Sequence, residues 1–240
     1  MNRRTVIWIA VAAAVLLIAG FALWWFVLRS DAPDPVSLDE AVVAAGGSTT
    51  MAGEPADSGA GDSAVEGDWV VAADGRSFVG YRVDEQLAGI GAVTAAGRTT
   101  GVTGGLTIEA GTVTSVTIVA DLTGLRSDDS RRDGALRRQA LETDTYPEAT
   151  FTLAEPIPLP GNAADGTAFS VDAVGDLEIH GVTRRVTIPL EAQLVGDAIA
   201  VVGSLEIEFA DYDIDPPSAV IVLSVEDRGI MELQLVLARG

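Results

Sequence analysis

From Trp69 to the C-terminus, apolar side chains recur at every second position. Val79, Tyr81 and Val83 alternate with small or polar residues, as do Val116, Ile118, Ala120 and Leu122. Phe151 and Leu153 follow, then Phe169, Val171, Ala173, Leu177 and Ile179, and then Val186, Ile188 and Leu190. Leu205, Ile207 and Phe209 come next, and Met231, Leu233, Leu235 and Leu237 close the series. Alternation of this kind marks antiparallel strands with one buried face. Glycine-containing joints at Glu109-Ala110-Gly111-Thr112 and Val195-Gly196-Asp197 predict hairpin turns. With the stretch Val102–Ile108 the pattern gives about eight strands, enough to close a barrel that holds side chains or one slender ligand. One segment departs from the rhythm. Ser127-Asp128-Asp129-Ser130 supplies N-cap chemistry, and Arg131 to Glu142 then places Leu136, Ala140 and Leu141 at helical spacing. Gly134 weakens that helix by about 1 kcal/mol relative to alanine. The expected fold is all-β: an eight-stranded antiparallel barrel with one inserted helix, placed as a lid or plug at a barrel end.

Two zones precede the barrel. Thr5 to Leu28 carries no charge, and at 1.5 Å per residue it exceeds the roughly 30 Å hydrocarbon core of a bilayer. Trp24 and Trp25 stand near one end, and Arg3 and Arg4 flank the other. The run predicts a transmembrane helix with a cytoplasmic N-terminus and everything after Arg29 outside. A cleaved signal peptide is the rival reading. It is disfavoured by the length of the run and by Pro33 just after the best small-residue site, Ser30-x-Ala32. From Asp31 to Gly67 there is no basic residue and no aromatic, only Gly, Ala, Ser, Pro and acids with a few aliphatics. Such a segment reads as a disordered acidic linker of roughly 30–40 Å end to end, with a short helix through Leu38–Ala45 marginal by itself. The expected organisation is therefore 1–30 cytoplasmic stub and anchor, 31–67 linker and 68–240 barrel domain.

Composition narrows the chemistry. The net charge is −20 and every basic residue is arginine, which makes nucleic acid an unsuitable partner. With no cysteine there are no disulfides, thiolate sites or thiol nucleophiles. His180 is the single histidine, so a transition-metal site lacks its usual ligands. By parity His180 falls on the face opposite Leu177 and Ile179, outside the barrel near a turn, where a structural role is expected. Asp211-Tyr212-Asp213-Ile214-Asp215 has Pro216 and Val222 where a calcium loop needs glycine and glutamate, and so reads as a solvated acidic turn. Nucleophile-elbow, phosphate-loop and dinucleotide fingerprints are missing; Gly89-Ile90-Gly91 starts like the last of these, but Thr94 stands at its sixth position.

Two stretches carry a family resemblance. Arg132-Asp133-Gly134-Ala135-Leu136, continuing to Tyr146-Pro147-Glu148-Ala149-Thr150-Phe151, resembles R-D-x-x-L … Y-P-x-x-T-F. Gly175-Asp176-Leu177-Glu178-Ile179-His180-Gly181-Val182-Thr183-Arg184-Arg185-Val186 resembles G-x-L-x-I-x-G-V-T-(K/R)-x-V. Together, over roughly Trp69 to Arg239, they are similar to the YceI-like family of lipid-binding proteins. The resemblance implies a lipocalin-like barrel around an apolar tunnel that holds a long polyisoprenoid or similar amphiphilic chain. It brings no catalytic residues with it. Arg76-Ser77 stands where the family often has His-Ser.

The reading that follows is a membrane-tethered, extracytoplasmic binding protein, not an enzyme, that carries or sequesters an isoprenoid-like lipid and needs no cofactor or metal. By alternation Val79, Tyr81, Val83, Phe151, Leu153, Leu177 and Ile179 line the tunnel, with small inward residues such as Ala120, Ala173 and Gly175 leaving it room. Arg131, Arg132, Arg137 and Arg138 form the densest basic cluster after the apolar run. They are head-group candidates for a phosphate, pyrophosphate or anionic lipid. Their bland alternative is a solvated helix face with Arg132 paired to local carboxylates, Asp133 among them. The expected partners are the lipid and the membrane, and a homodimer is compatible with the pattern. The alternative function is an envelope structural or protein-interaction module whose barrel is filled by its own side chains.

Overall fold

The computed structural model describes residues 32–47, 65–88, 91–217 and 222–240. Its strands are β1 (Gly67–Val71), β2 (Phe78–Leu87), β3 (Gly91–Thr99), β4 (Val102–Glu109), β5 (Thr112–Asp121), β6 (Arg126–Ser127) and β7 (Glu148–Leu153). After these come β8 (Ile157–Pro158), β9 (Phe169–Ile179), β10 (Val182–Val195), β11 (Ala198–Glu208), β12 (Val222–Val225) and β13 (Arg228–Arg239). Neighbours run in the order β1-β4-β5-β7-β9-β10-β11-β13, and β1 pairs back onto β13 through Trp69 opposite Arg239 and Val71 opposite Leu237. Eight antiparallel staves thus close a barrel.

Three staves are interrupted, so there are more segments than staves. Along β13, β2 takes over from β1, with Phe78 to Arg82 opposite Gln234 to Ile230. In the same way β3 continues β4, and β6 continues β5. At the gap between β1 and β2 the Ser77 side chain replaces the backbone ladder: Val236 N–H donates to Ser77 Oγ at 2.9 Å. A missing ladder partner in a buried wall would leave an orphaned amide, and this hydroxyl satisfies it.

Both expected turns are present, between Glu109 and Thr112 and between Val195 and Ala198. The β9–β10 hairpin turns on His180 (φ 53°) and Gly181 (φ 74°), the two successive positive angles that a two-residue hairpin needs.

The inserted helix is α2 (Ser130–Ala135), extended by a π-helical turn over Leu136–Ala140. Asp129 caps it, accepting from Arg131 N–H at 2.8 Å. The helix lies at one end of the barrel with Leu136 and Ala140 facing inward. Gly134 has a local reason: the Arg138 guanidinium folds over it, and a Cβ there would sit 3.1 Å from Nη2.

Over residues 32–47 the linker reading requires correction. Residues 32–47 form a strap on the outer wall that includes α1 (Leu38–Ala44), capped by Ser37. Ala41 and Val42 pack against Ala200 and Val202, and all four are buried. Seven residues make a marginal helix alone, and burial of one apolar face on the barrel offsets that. Arginines fix the strap: Arg82 donates to the Pro33 carbonyl at 2.6 Å, Arg98 to that of Asp34 at 2.8 Å, and Arg76 to that of Ala44 at 2.6 Å. Beneath it Glu232, 2% exposed, accepts from Arg82 Nε at 3.0 Å, with Arg98 3.7 Å away. The barrel unit also starts slightly earlier than expected. Val65 is buried, and Glu66 accepts from the amides of Ala110 and Gly111.

The anchor predicted over 1–30 lies outside the described residues. Among those described, no helix is long and apolar enough to cross a membrane.

Candidate functional site: a two-chambered apolar bore

Alternation along the staves aims one row of side chains per strand into the barrel, and these rows enclose two cavities in tandem. The first has a volume of about 140 Å³ and is lined by Leu106, Ile108, Val116, Ile118, Phe169, Val171, Ala173, Ile188, Leu190, Leu233 and Leu235, among others. Apart from Thr150, every lining side chain is apolar. The second has a volume of about 120 Å³ and lies under the helix, lined by Leu122, Leu125, Leu136, Leu141, Ile207, Phe209 and Ile214. Val79, Ala149 and Met231 line both, so the chambers meet end to end at these three residues. Along β13 the lining runs from Gly229 to Leu237, about 27 Å of strand. An apolar cavity of about this size stays dry and accepts an apolar guest.

Small residues set the bore's shape. Gly175 lies under the Phe151 ring; a Cβ there would come within 2.4 Å of Cζ. That close approach leaves space for the ring which any side chain at this position would take.

The second chamber alone carries ionisable groups. Val79, Tyr81 and Val83 point inward, and the same parity brings in Glu85, which is buried. Glu85 lies 3.5 Å from Arg132 Nη2, and Asp128 holds Nη1 of the same guanidinium at 2.5 Å. Tyr81 places its hydroxyl close to Ser127, but the Ser127 hydroxyl is committed to Asp133 Oδ1 at 2.7 Å, and Tyr81 Oη makes no hydrogen bond of normal geometry. Burial pushes the Tyr81 phenol up to about 12. It is a neutral donor facing an apolar chamber.

The tunnel residues named from alternation are largely brought together. Val79 lines both chambers, Phe151 and Leu177 the first, and Tyr81, Val83 and Ile179 the second. Leu153 packs against the core beside the first chamber without lining it. The four arginines do not converge. Arg132 reaches the second chamber; Arg131, 83% exposed, pairs with Asp129, and Arg138 lies over Gly134 on the outside. Asp133 is not the Arg132 partner, because it is buried and accepts from the Ser127 amide and hydroxyl. Glu85 was not among the expected site residues, although the parity of β2 pointed to it.

The two motif stretches meet outside the barrel. Tyr146 packs edge-on against His180, with ring centroids 4.5 Å apart. The same ring covers Gly181, where a Cβ would lie 2.7 Å from Cε1. His180 Nδ1 is 3.2 Å from the Tyr212 carbonyl and Nε2 3.3 Å from Glu142. The histidine is a clip at the hairpin turn, outside the bore. Asp211, Asp213 and Asp215 are exposed around buried Tyr212 and Ile214.

Comparison with known proteins decides the family. The family model described as YceI-like domain matches residues 69–237. The chain belongs to the YceI-like family. Two curated relatives are the UPF0312 proteins of Vibrio parahaemolyticus serotype O3:K6 (34% identity) and Vibrio campbellii (32% identity). Each aligns over 108 residues, 41% of this chain and 52% of the relative. The chain thus spans about half the length of the curated relatives it matches. Among solved structures, the YceI-like barrel is similar to a polyisoprenoid-binding domain from Saccharophagus degradans implicated in plant cell wall breakdown. The TM-score is 0.56 at 22% identity, over 72% of this chain and 98% of that one. It is also similar to BcnA of Burkholderia cenocepacia, with a TM-score of 0.55 at 19% identity, over 69% and 98%. At these identities the YceI-like fold is what is shared.

Proposed function

We propose that this YceI-like domain binds a long-chain, isoprenoid-like lipid in its bore and that the chain tethers it to the outer face of a membrane as a carrier or sequestering module. The observation that carries the reading is the pair of largely apolar chambers in tandem, with Val79, Ala149 and Met231 at their common boundary. A slender hydrocarbon fits such a bore. The polyisoprenoid binding of the Saccharophagus degradans domain supports the same ligand class through the shared fold. A barrel filled by its own side chains, the structural-module alternative, is disfavoured by the volume left in both chambers.

The polar groups orient the guest. Its tail occupies the first chamber and its head lies in the second, beside Tyr81 and Arg132. Two carboxylates already neutralise Arg132. A head that is neutral and accepts a hydrogen bond therefore suits the chamber better than a pyrophosphate. Affinity against water alone would be excessive, since each buried methylene contributes about 0.8 kcal/mol and observed affinities end near 18–21 kcal/mol. The bilayer solvates the same tail, so net capture rests on shape and on the head.

The reading is tested by transfer of a fluorescent polyprenol from vesicles to the full chain. Val83→Trp and Leu177→Trp, one in each chamber, are expected to reduce uptake at least tenfold while the far-ultraviolet spectrum stays that of a β-barrel. Uptake unchanged in both folded variants would overturn it.

A further inference from the structure

We infer that the strap seats the barrel directly on the membrane surface, with the second chamber's rim facing the bilayer. The inference rests on the anchored reading of Thr5–Leu28 proposed above. Residues 32–47 are fixed to the barrel wall, so the tether between the apolar run and the barrel is not a long spacer. It is the step from Leu28 to Ala32, about 13 Å even when fully extended. The point where it reaches the barrel is equally specific. Arg82 and Arg98 hold the Pro33 and Asp34 carbonyls, and Arg82 stands opposite Ile230 in the β2–β13 register. Ile230 lines the second chamber and is 38% exposed. The strap then runs away from this edge, and Gly47 ends against Val195 beside the β10–β11 turn at the opposite end.

The second chamber's apolar lining reaches the surface at the same end, where Ile230 is exposed and Pro216 and Pro217 are half-exposed. Pro216 and Pro217 carry the chamber lining outward there. A lipid leaving the leaflet would then reach the chamber with its tail unexposed to water.

The test uses the full chain in phosphatidylcholine–phosphatidylglycerol vesicles whose head groups carry a nitroxide quencher. The absence of native cysteine allows single labelled sites at Glu226→Cys on the rim and Asp197→Cys at the far turn, both exposed. The rim label is expected to be quenched several-fold more strongly than the far one. Inserting about twenty Gly/Ser residues between Asp31 and Ala32, a flexible reach of roughly 25 Å, is expected to erase that difference while leaving the barrel folded. Equal quenching in the native chain, or a difference that survives the insertion, overturns the seating and leaves the anchor intact. Release of the native chain from vesicles by alkaline carbonate overturns the anchor and the seating together.

Discussion

The two chambers are built by the same alternation and differ in what they can say to a guest. The first is bounded by aliphatic and aromatic side chains with a single threonine, so it measures only length and girth. The second sets Tyr81, Glu85 and Arg132 into an otherwise apolar wall. One end of the bore is therefore indifferent to chemistry and the other is selective. On the proposed reading this asymmetry gives the guest a direction: tail towards Ile108 and Phe169, head beneath the helix.

The largest expected effect comes from filling the indifferent end. Ala173, 2% exposed, lines the first chamber, and Ala173→Phe should lower affinity for long tails about a hundredfold. Tails that end at the junction should lose only a few-fold. Overpacking there should cost about 1–3 kcal/mol of stability. Binding measured across a series of polyprenol lengths checks this; equal losses at all lengths would break the tail assignment.

The selective end is probed by pH. Tyr81 is neutral in the fold up to about 12, whereas an unfolded tyrosine ionises near 10. Below pH 10 both states are protonated and the full contribution is present. Between pH 10 and 12 only the unfolded state loses its proton, so stability should fall by about 2–3 kcal/mol and then level off. Absorbance at 295 nm should show one phenol titrating near 12, and Tyr81→Phe should remove that step. A smaller effect is expected from Glu85→Gln. Freeing Arg132 of one carboxylate should raise affinity for an anionic-headed lipid about tenfold and leave a neutral-headed one within about twofold. The reverse preference would mean that the head lies elsewhere.

Much of the barrel was legible because period-two alternation survives the interruption of a stave. The break between β1 and β2 was not, since it is compensated by one hydroxyl, Ser77, whose partner lies far away in sequence. The tunnel residues followed from parity, and Glu85 would have followed had parity been carried one step past Val83. Leu153 shows the limit of that rule: inward direction does not guarantee a place on a cavity wall. The strap was hidden by averaging. Ala41 and Val42 are two apolar residues in an acidic, small-residue stretch, and composition alone assigns such a stretch to solvent. The complementary signal lay in β11, where Ile199-Ala200-Val201-Val202 runs apolar without alternation, the mark of a strand buried on both faces. The arginine cluster misled for a related reason. Helical spacing sent Arg132 into the bore and Arg131 and Arg138 outside, where one sequence run had suggested one site.

Native mass spectrometry of the full chain, extracted in mild detergent from the cells that make it, tests the central claim most directly. The account predicts one long-chain lipid per barrel, lost from the Val83→Trp and Leu177→Trp variants. A barrel that carries no lipid after extraction and none after incubation with polyprenol-containing vesicles would contradict it.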